Sequence, residues 1–253
     1  MNKNVPLLID FDGVIKLGNK IAPDAKEFFD FIEEEKIPIC IFSNSTLKTA
    51  ELIQEFLNQN SLLIPIPTLT AFDVTVQYVK NHYKKVKVYC RDYLIHHFDG
   101  LISDSNPDAV VIGDIGDNWN FDTMNEIFTY VINGADIVAM HKNKFWKPKD
   151  KLILDAGAFI SAIEIATDKQ SILIGKPSPI YFKTAIKYLG FAPDSDFYMI
   201  GDDLENDIIA SQIIGGRGIL ILTGKTKVED FKDVRPNYIV NNLLEVIDTF
   251  RRG

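Results

Sequence analysis

A doubly wound α/β fold, a parallel sheet with helices on its faces, is what this sequence predicts, and two features predict it. Short apolar runs alternate with longer stretches of helical period, the rhythm of βαβ units. Four of those runs end on polar residues of catalytic type, as strands do where an open parallel sheet presents its carboxyl edge to a ligand.

The runs "VPLLI", "IPICIF", "VKVYC", "AVVIG", "ADIVAM", "SILIG", "FYMIG" and "GILIL" lack strict alternation and read as strands buried on both faces. Between the first two, "APDAKEFFDFIEEEK" places Phe28, Phe29 and Ile32 on one helical face. After the second, "STLKTAELIQEFLNQ" does the same with Leu52, Ile53, Phe56 and Leu57. Further on, "LDAGAFISAIEIA" predicts a helix from about Ala158, and Ser178 and Pro179 read as N-cap and first residue of another.

The run ends carry the chemistry. "LLIDFDG" supplies Asp10 and Asp12, "CIFSNST" supplies Ser43 and Asn44, "ILIGKPSP" supplies Lys176, and "YMIGDDLENDI" supplies Asp202, Asp203 and Asp207. A shared sheet edge would bring them together. Their spacing also speaks to domains: Asp10 to Ser43 is 33 residues and Lys176 to Asp202 is 26, but Ser43 to Lys176 is 133. A second folding unit belongs in that gap. The expected division is a core from 1–80 and 170–253 with an inserted domain at 81–169.

Two carboxylates one residue apart repel, by roughly 4 kcal/mol at about 4 Å under an effective dielectric near 20. A divalent cation would offset this, and Mg²⁺ suits the pattern because it takes carboxylates together with substrate phosphate oxygens. Calcium in an EF-hand loop fails on spacing, since Val14 and Ile15 stand where an acid or amide and a glycine are needed. Gly13 lets the chain turn away. "FSNST" can seat a phosphoryl group on a hydroxyl and backbone N–H groups, or Asn44 or Ser45 can simply cap the following helix. Lys176, fixed between Gly175 and Pro177, can neutralise phosphate or remain a solvated surface lysine. The acids after Gly201 can ligate metal or merely favour a helix N-terminus.

Composition narrows the partners. The 253 residues are 46% hydrophobic and 25% charged, with a net charge of -8, which leaves no basic surplus for nucleic acid. No apolar run reaches the ~18 residues of a membrane span, and the N-terminal run is cut short by Asp10 and Asp12. The two cysteines, Cys40 and Cys90, lie in separate apolar runs and read as buried structural thiols of a cytoplasmic protein. His82, His96, His97 and His141 show no metal-binding spacing.

The order D-x-D-G, Ser, Lys-Pro, then G-D-D-x-x-x-D, each after an apolar run, resembles the haloacid dehalogenase-like hydrolases. The long insertion looks like that of subfamily IIA, which carries an α/β cap of the C2 type. "SDSNPDAVVIGDIGDNWNFDTMNEIF" and "GKPSPIYFKTA" are similar to the phospholysine phosphohistidine inorganic pyrophosphate phosphatases. The resemblance implies that Asp10 is a nucleophile forming an aspartyl-phosphate and Asp12 the general acid and base. It implies that Ser43, Asn44 and Lys176 hold the phosphoryl group, and that Asp10, the Asp12 carbonyl and Asp202 hold Mg²⁺. Asp203 and Asp207 would stand behind them as supports. Its substrate would be a small phosphorylated metabolite, a phosphoramidate or pyrophosphate, with phosphotransfer to another acceptor and a non-catalytic binding protein as rivals. Subfamily relatives are often homodimers through the cap.

Within the insertion, the helix after Gly157 would point Ala158 and its N-terminus at an anion. The lysine-rich "MHKNKFWKPKDKL" reads either as an anion-attracting loop or as a solvated hairpin, and Trp119 as cap packing or an interface anchor.

Overall fold

The computed structural model of the chain describes residues 1–146, 151–227 and 235–252. It divides into two compact units, one of Met1–Ser43, Ala50–Leu69 and Lys176–Gly253, the other of Asn44–Thr49 and Thr70–Gly175.

The first unit is built on a six-stranded sheet. Its order is Tyr238–Val240, Arg217–Ile221, Tyr198–Gly201, Leu7–Ile9, Ile39–Ser43, Thr68–Thr70. Leu7 sits opposite both Tyr198 and Ile39 in parallel register, and Tyr198 opposite Arg217. Chain order therefore runs outward from Leu7–Ile9 in both directions, which makes the gap between this strand and Tyr198–Gly201 the point where strand order reverses. Ligands of doubly wound sheets bind at that crevice, beyond the carboxyl ends of the strands.

Leu7, Leu8 and Ile9 are fully buried, as a central strand covered on both faces requires. The helix Ala25–Glu34 buries Phe28, Phe29, Phe31 and Ile32 into the same core, as its period predicts. In the helix Ala50–Gln59 only Ile53 and Leu57, one turn apart, are buried, and Phe56 is partly so. Leu52 is exposed, a correction to the predicted face, because four apolar positions span a wider arc than the sheet covers. Ser178 caps the helix Pro179–Tyr188 by accepting from the Ile180 N–H at 3.3 Å.

The second unit has a four-stranded parallel sheet in the order Ile172–Leu173, Asp136–Ala139, Ala109–Ile112, Val86–Tyr89. Ile112, Ile127, Val131, Ile137, Ile160 and Ile163 form its core against the helices Phe121–Ile132 and Ala156–Thr167. The latter starts two residues before the predicted Ala158, because Asp155 accepts from the Ala156 N–H at 2.7 Å. Trp119 stacks on Phe159, centroids 4.5 Å apart. Cys40 and Cys90 are buried and unlinked. Among the described residues no helix is long and apolar enough to cross a membrane.

Candidate active site

Asp10 follows the Leu7–Ile9 strand directly, and its N–H donates to the Ile200 carbonyl at 2.8 Å, so the end of one central strand is tied to the end of its neighbour. Asp202 follows Gly201 on that neighbour. The two acids thus flank the reversal point. Asp207 joins them from a π-type turn, Leu204–Ile209, in which the Ile208 N–H reaches back to the Asp203 carbonyl. Widening a turn this way is frequent at functional sites. One carboxylate oxygen from each of Asp10, Asp202 and Asp207 lies within 4.8 Å of the others, and all three residues are buried.

Lys176 enters this cluster from 166 residues away in the chain. Its Nζ donates to Asp10 Oδ1 at 2.8 Å and lies 2.7 Å from Asp207 Oδ1, with the Phe42 ring 5.5 Å distant. Lys176 therefore bridges Asp10 and Asp207. Lys176 is only 2% exposed, and the surface-lysine reading falls away.

Three carboxylates against one ammonium leave a buried excess of negative charge, and their titration reflects it. Burial raises Asp10, and Lys176 offsets only part of that rise. Burial and then the charge of Asp10 push Asp202 up to about 7. Burial likewise holds Asp207 well above the usual carboxylate range, against Lys176. Burial would lower Lys176, yet Asp10 and Asp207 together carry it above its ordinary value. A cluster of this composition can hold a divalent cation, which would neutralise the excess.

Two glycines keep the cluster open. Gly13 has φ +89°, and a Cβ there or on Gly224 would collide with the Asp202 carboxylate. The Gly224–Thr226 segment wraps Asp202: the Lys225 N–H donates to its Oδ2 at 2.6 Å and the Thr226 N–H to its carbonyl at 3.0 Å.

The other expected residues are placed as follows. The Asp12 side chain does not enter the carboxylate cluster; it is half-exposed and bonded to Lys16 Nζ at 2.6 Å. Ser43 ends its strand, buried, its carbonyl accepting from the Tyr181 hydroxyl at 2.6 Å. Asn44 begins the 44–49 stretch of the second unit, where Gly175 leaves room for its Oδ1. The next helix starts only at Ala50, so the capping alternative for Asn44 and Ser45 is corrected. Asp203 caps the π-type turn and pairs with Lys225 at 2.5 Å. Although burial works the other way, Lys225 and Asn206 hold its carboxyl below the usual range.

At Gly157 and Ala158 the amides are already engaged, the first by the Asn143 carbonyl at 3.0 Å and the second by the Asp155 carbonyl at 3.0 Å. What Gly157 provides here is a close pass of the Lys142 and Asn143 backbone, which a Cβ would block. Of the lysine-rich stretch, Lys142 is committed to Glu164, at 2.7 and 2.8 Å to its two oxygens, while residues 147–150 and the Trp146 side chain lie outside the described residues.

The Thr223–Thr226 loop and Tyr181 are the functional neighbours that sequence reasoning missed. "GILIL" ends in "TGKT", a polar strand end of the kind that flagged the other four, and the same rule would have found it. Nothing local marks Tyr181.

The two stretches that carry these residues match known families. A family profile described as haloacid dehalogenase-like hydrolase covers residues 7–99, and one described as HAD-hydrolase-like covers 173–246. The chain belongs to the haloacid dehalogenase-like hydrolase superfamily. Within that superfamily it is 29% identical to haloacid dehalogenase-like hydrolase domain-containing protein 2 of Rattus norvegicus, over 91% of this chain and 88% of that one. It is 35% identical to the phospholysine phosphohistidine inorganic pyrophosphate phosphatase of Xenopus laevis over 62% of each. Among solved structures it is similar to NagD of E. coli K-12, with TM-score 0.82, 26% identity and 96% and 97% coverage. It also shares its fold with the 4-nitrophenylphosphatase of Thermotoga maritima, with TM-score 0.87, 24% identity and 97% coverage of each chain.

Proposed function

We propose that the chain is a Mg²⁺-dependent phosphatase of small phosphorylated molecules that works through an aspartyl-phosphate on Asp10. The observation that carries this is the burial of the Asp10, Asp202 and Asp207 carboxylates around Lys176 at the reversal point of the sheet. The similarity to the phospholysine phosphohistidine inorganic pyrophosphate phosphatase of Xenopus laevis supports the class.

In this reading an Asp10 carboxylate oxygen attacks phosphorus in line, and the bond from phosphorus to the leaving group breaks. Asp12 gives its proton to the departing oxygen or nitrogen, then takes one from the water that attacks the aspartyl-phosphate, which restores Asp10 and releases phosphate. For this Asp12 must part from Lys16. Ser43 and Asn44 hold phosphoryl oxygens, and Lys176 favours the ionised form of Asp10 and orients it. Asp10, the Asp12 carbonyl and Asp202 would hold Mg²⁺, which when bound supplies positive charge against the phosphoryl oxygens. Asp207 orients Lys176, and Asp203 belongs to the support rather than to the ligands.

The second unit, expected from the sequence at 81–169, is then the C2-type cap of subfamily IIA. Exposed Phe121, Phe145, Leu152 and Leu154 support a homodimer formed through it, and the unlinked cysteines suit a cytoplasmic site of action. A panel of 4-nitrophenyl phosphate, a phosphoramidate and pyrophosphate, assayed with and without Mg²⁺, tests the proposal. Metal-dependent phosphate release from at least one is expected. Release from none contradicts hydrolysis, and loss of substrate without free phosphate in the presence of an acceptor would indicate transfer.

A further inference from the structure

Among the described residues, no side chain donates a hydrogen bond to Asp202, unlike the other acids of the cluster, which Lys176 engages. Asp202 Oδ2 is aimed by a backbone amide, that of Lys225, at 2.6 Å. The side chain of the same residue pairs through its ammonium with Asp203 Oδ2 at 2.5 Å. Asp203 is itself immobilised: Oδ1 accepts from the Glu205 and Asn206 N–H groups at 3.0 and 3.1 Å, and Oδ2 from Asn206 Nδ2 at 2.9 Å. The same segment is stitched down twice more. The Leu204 N–H donates to Thr226 Oγ1 at 3.0 Å, and Thr223 Oγ1 donates to the Gly13 carbonyl at 2.6 Å.

We propose that Lys225 is a positioning residue whose pairing with Asp203 clamps the Thr223–Thr226 loop so that its amide aims the Asp202 carboxylate at a divalent cation. The proposal rests on the metal reading above and extends it to a residue outside the ligand set. It gives Asp203 a purpose that is not ligation.

Two effects of Lys225 on cation affinity have opposite signs, and that makes the clamp testable. A positive charge near the site repels a cation, so its bare electrostatic effect is to weaken binding. A support that orients a ligand strengthens binding, and removing such supports costs about 10–100-fold in affinity. Because the Lys225 side chain is 65% exposed, the lower end of that range applies.

The experiment is a Mg²⁺ titration of the whole chain read by thermal unfolding, with Mn²⁺ as a second probe. Lys225→Met should bind about tenfold more weakly than the natural protein, and Lys225→Arg should restore most of the loss. Asp203→Asn, which leaves residue 225 untouched, should weaken binding in the same direction. The double variant should be no worse than the weaker single one, because both break one clamp. In turnover assays the defect of Lys225→Met should appear as a raised Mg²⁺ requirement with kcat recovered at saturation. Equal or tighter binding by Lys225→Met overturns the clamp while leaving the metal site standing. A natural protein that shows no saturable response to either cation removes the metal reading, and the clamp with it.

Discussion

Asp202 gives a prediction that links pH, metal and stability. With no cation bound, its carboxyl is raised from 3.8 to about 7 by burial and by Asp10. Above about pH 4 the unfolded chain has lost this proton while the folded one keeps it, so stability falls as pH rises, until about pH 7. Roughly three units at about 1.4 kcal/mol each set a limit of about 4 kcal/mol. The interval from pH 5 to 7 covers about two of them, about 3 kcal/mol, or roughly 6–12 °C in Tm for a chain of this size. Asp10 and Asp207 shift in the same direction and add to the slope. Mg²⁺ competes with the proton. At a concentration about 100-fold above its Kd at pH 8 it adds about 2.7 kcal/mol, whereas at pH 5 a proton held some 100-fold more tightly reduces the gain to about 0.4 kcal/mol. Calorimetry of metal-free and Mg²⁺-saturated protein at pH 5, 6, 7 and 8 measures all of this. In Asp202→Asn the pH slope should flatten and the metal increment shrink at every pH. An equal Mg²⁺ increment at pH 5 and 8, or an unchanged slope in Asp202→Asn, would refute the reasoning.

Three further outcomes follow from single side chains. Lys176→Met strands two buried acids and should cost about 3–5 kcal/mol in metal-free unfolding, with turnover lost. In Asp12→Asn turnover should fall by roughly 10²–10⁴ while Mg²⁺ affinity, measured by titration, stays near that of the natural protein, because that contact is a main-chain oxygen. Gly13→Ala puts a Cβ against the Asp202 carboxylate at φ +89°, so it should lower stability by about 1–2 kcal/mol and weaken Mg²⁺ binding in the same thermal titration.

Much of the core was legible because one rule governs it. Parallel strands buried on both faces read as unbroken apolar runs, and their carboxyl ends share an edge, so Asp10, Ser43 and Asp202 could be gathered without knowing the sheet order. Lys176 corrects that rule, because the strand before it, Ile172–Leu173, belongs to the other sheet. The start of the helix at Ala156 was misjudged because Asp155, not the glycine after it, supplies the cap. Leu52 was misplaced because an apolar pattern gives a helix its general face but not the width of what covers it. Least legible were contacts that join distant chain segments through single polar atoms. The Tyr181 hydroxyl reaching the Ser43 carbonyl across 138 residues has no local signature.

In the proposed reaction an Asp10 oxygen is the atom that bonds to phosphorus. An acid-quenched single turnover with labelled phosphoryl substrate and Mg²⁺, followed by peptide mapping, examines that directly. Label should reside on the peptide containing Asp10 in the natural protein, decay as free phosphate appears, and be absent from Asp10→Asn. Phosphate release that proceeds undiminished in Asp10→Asn, or label on any other peptide, would contradict it.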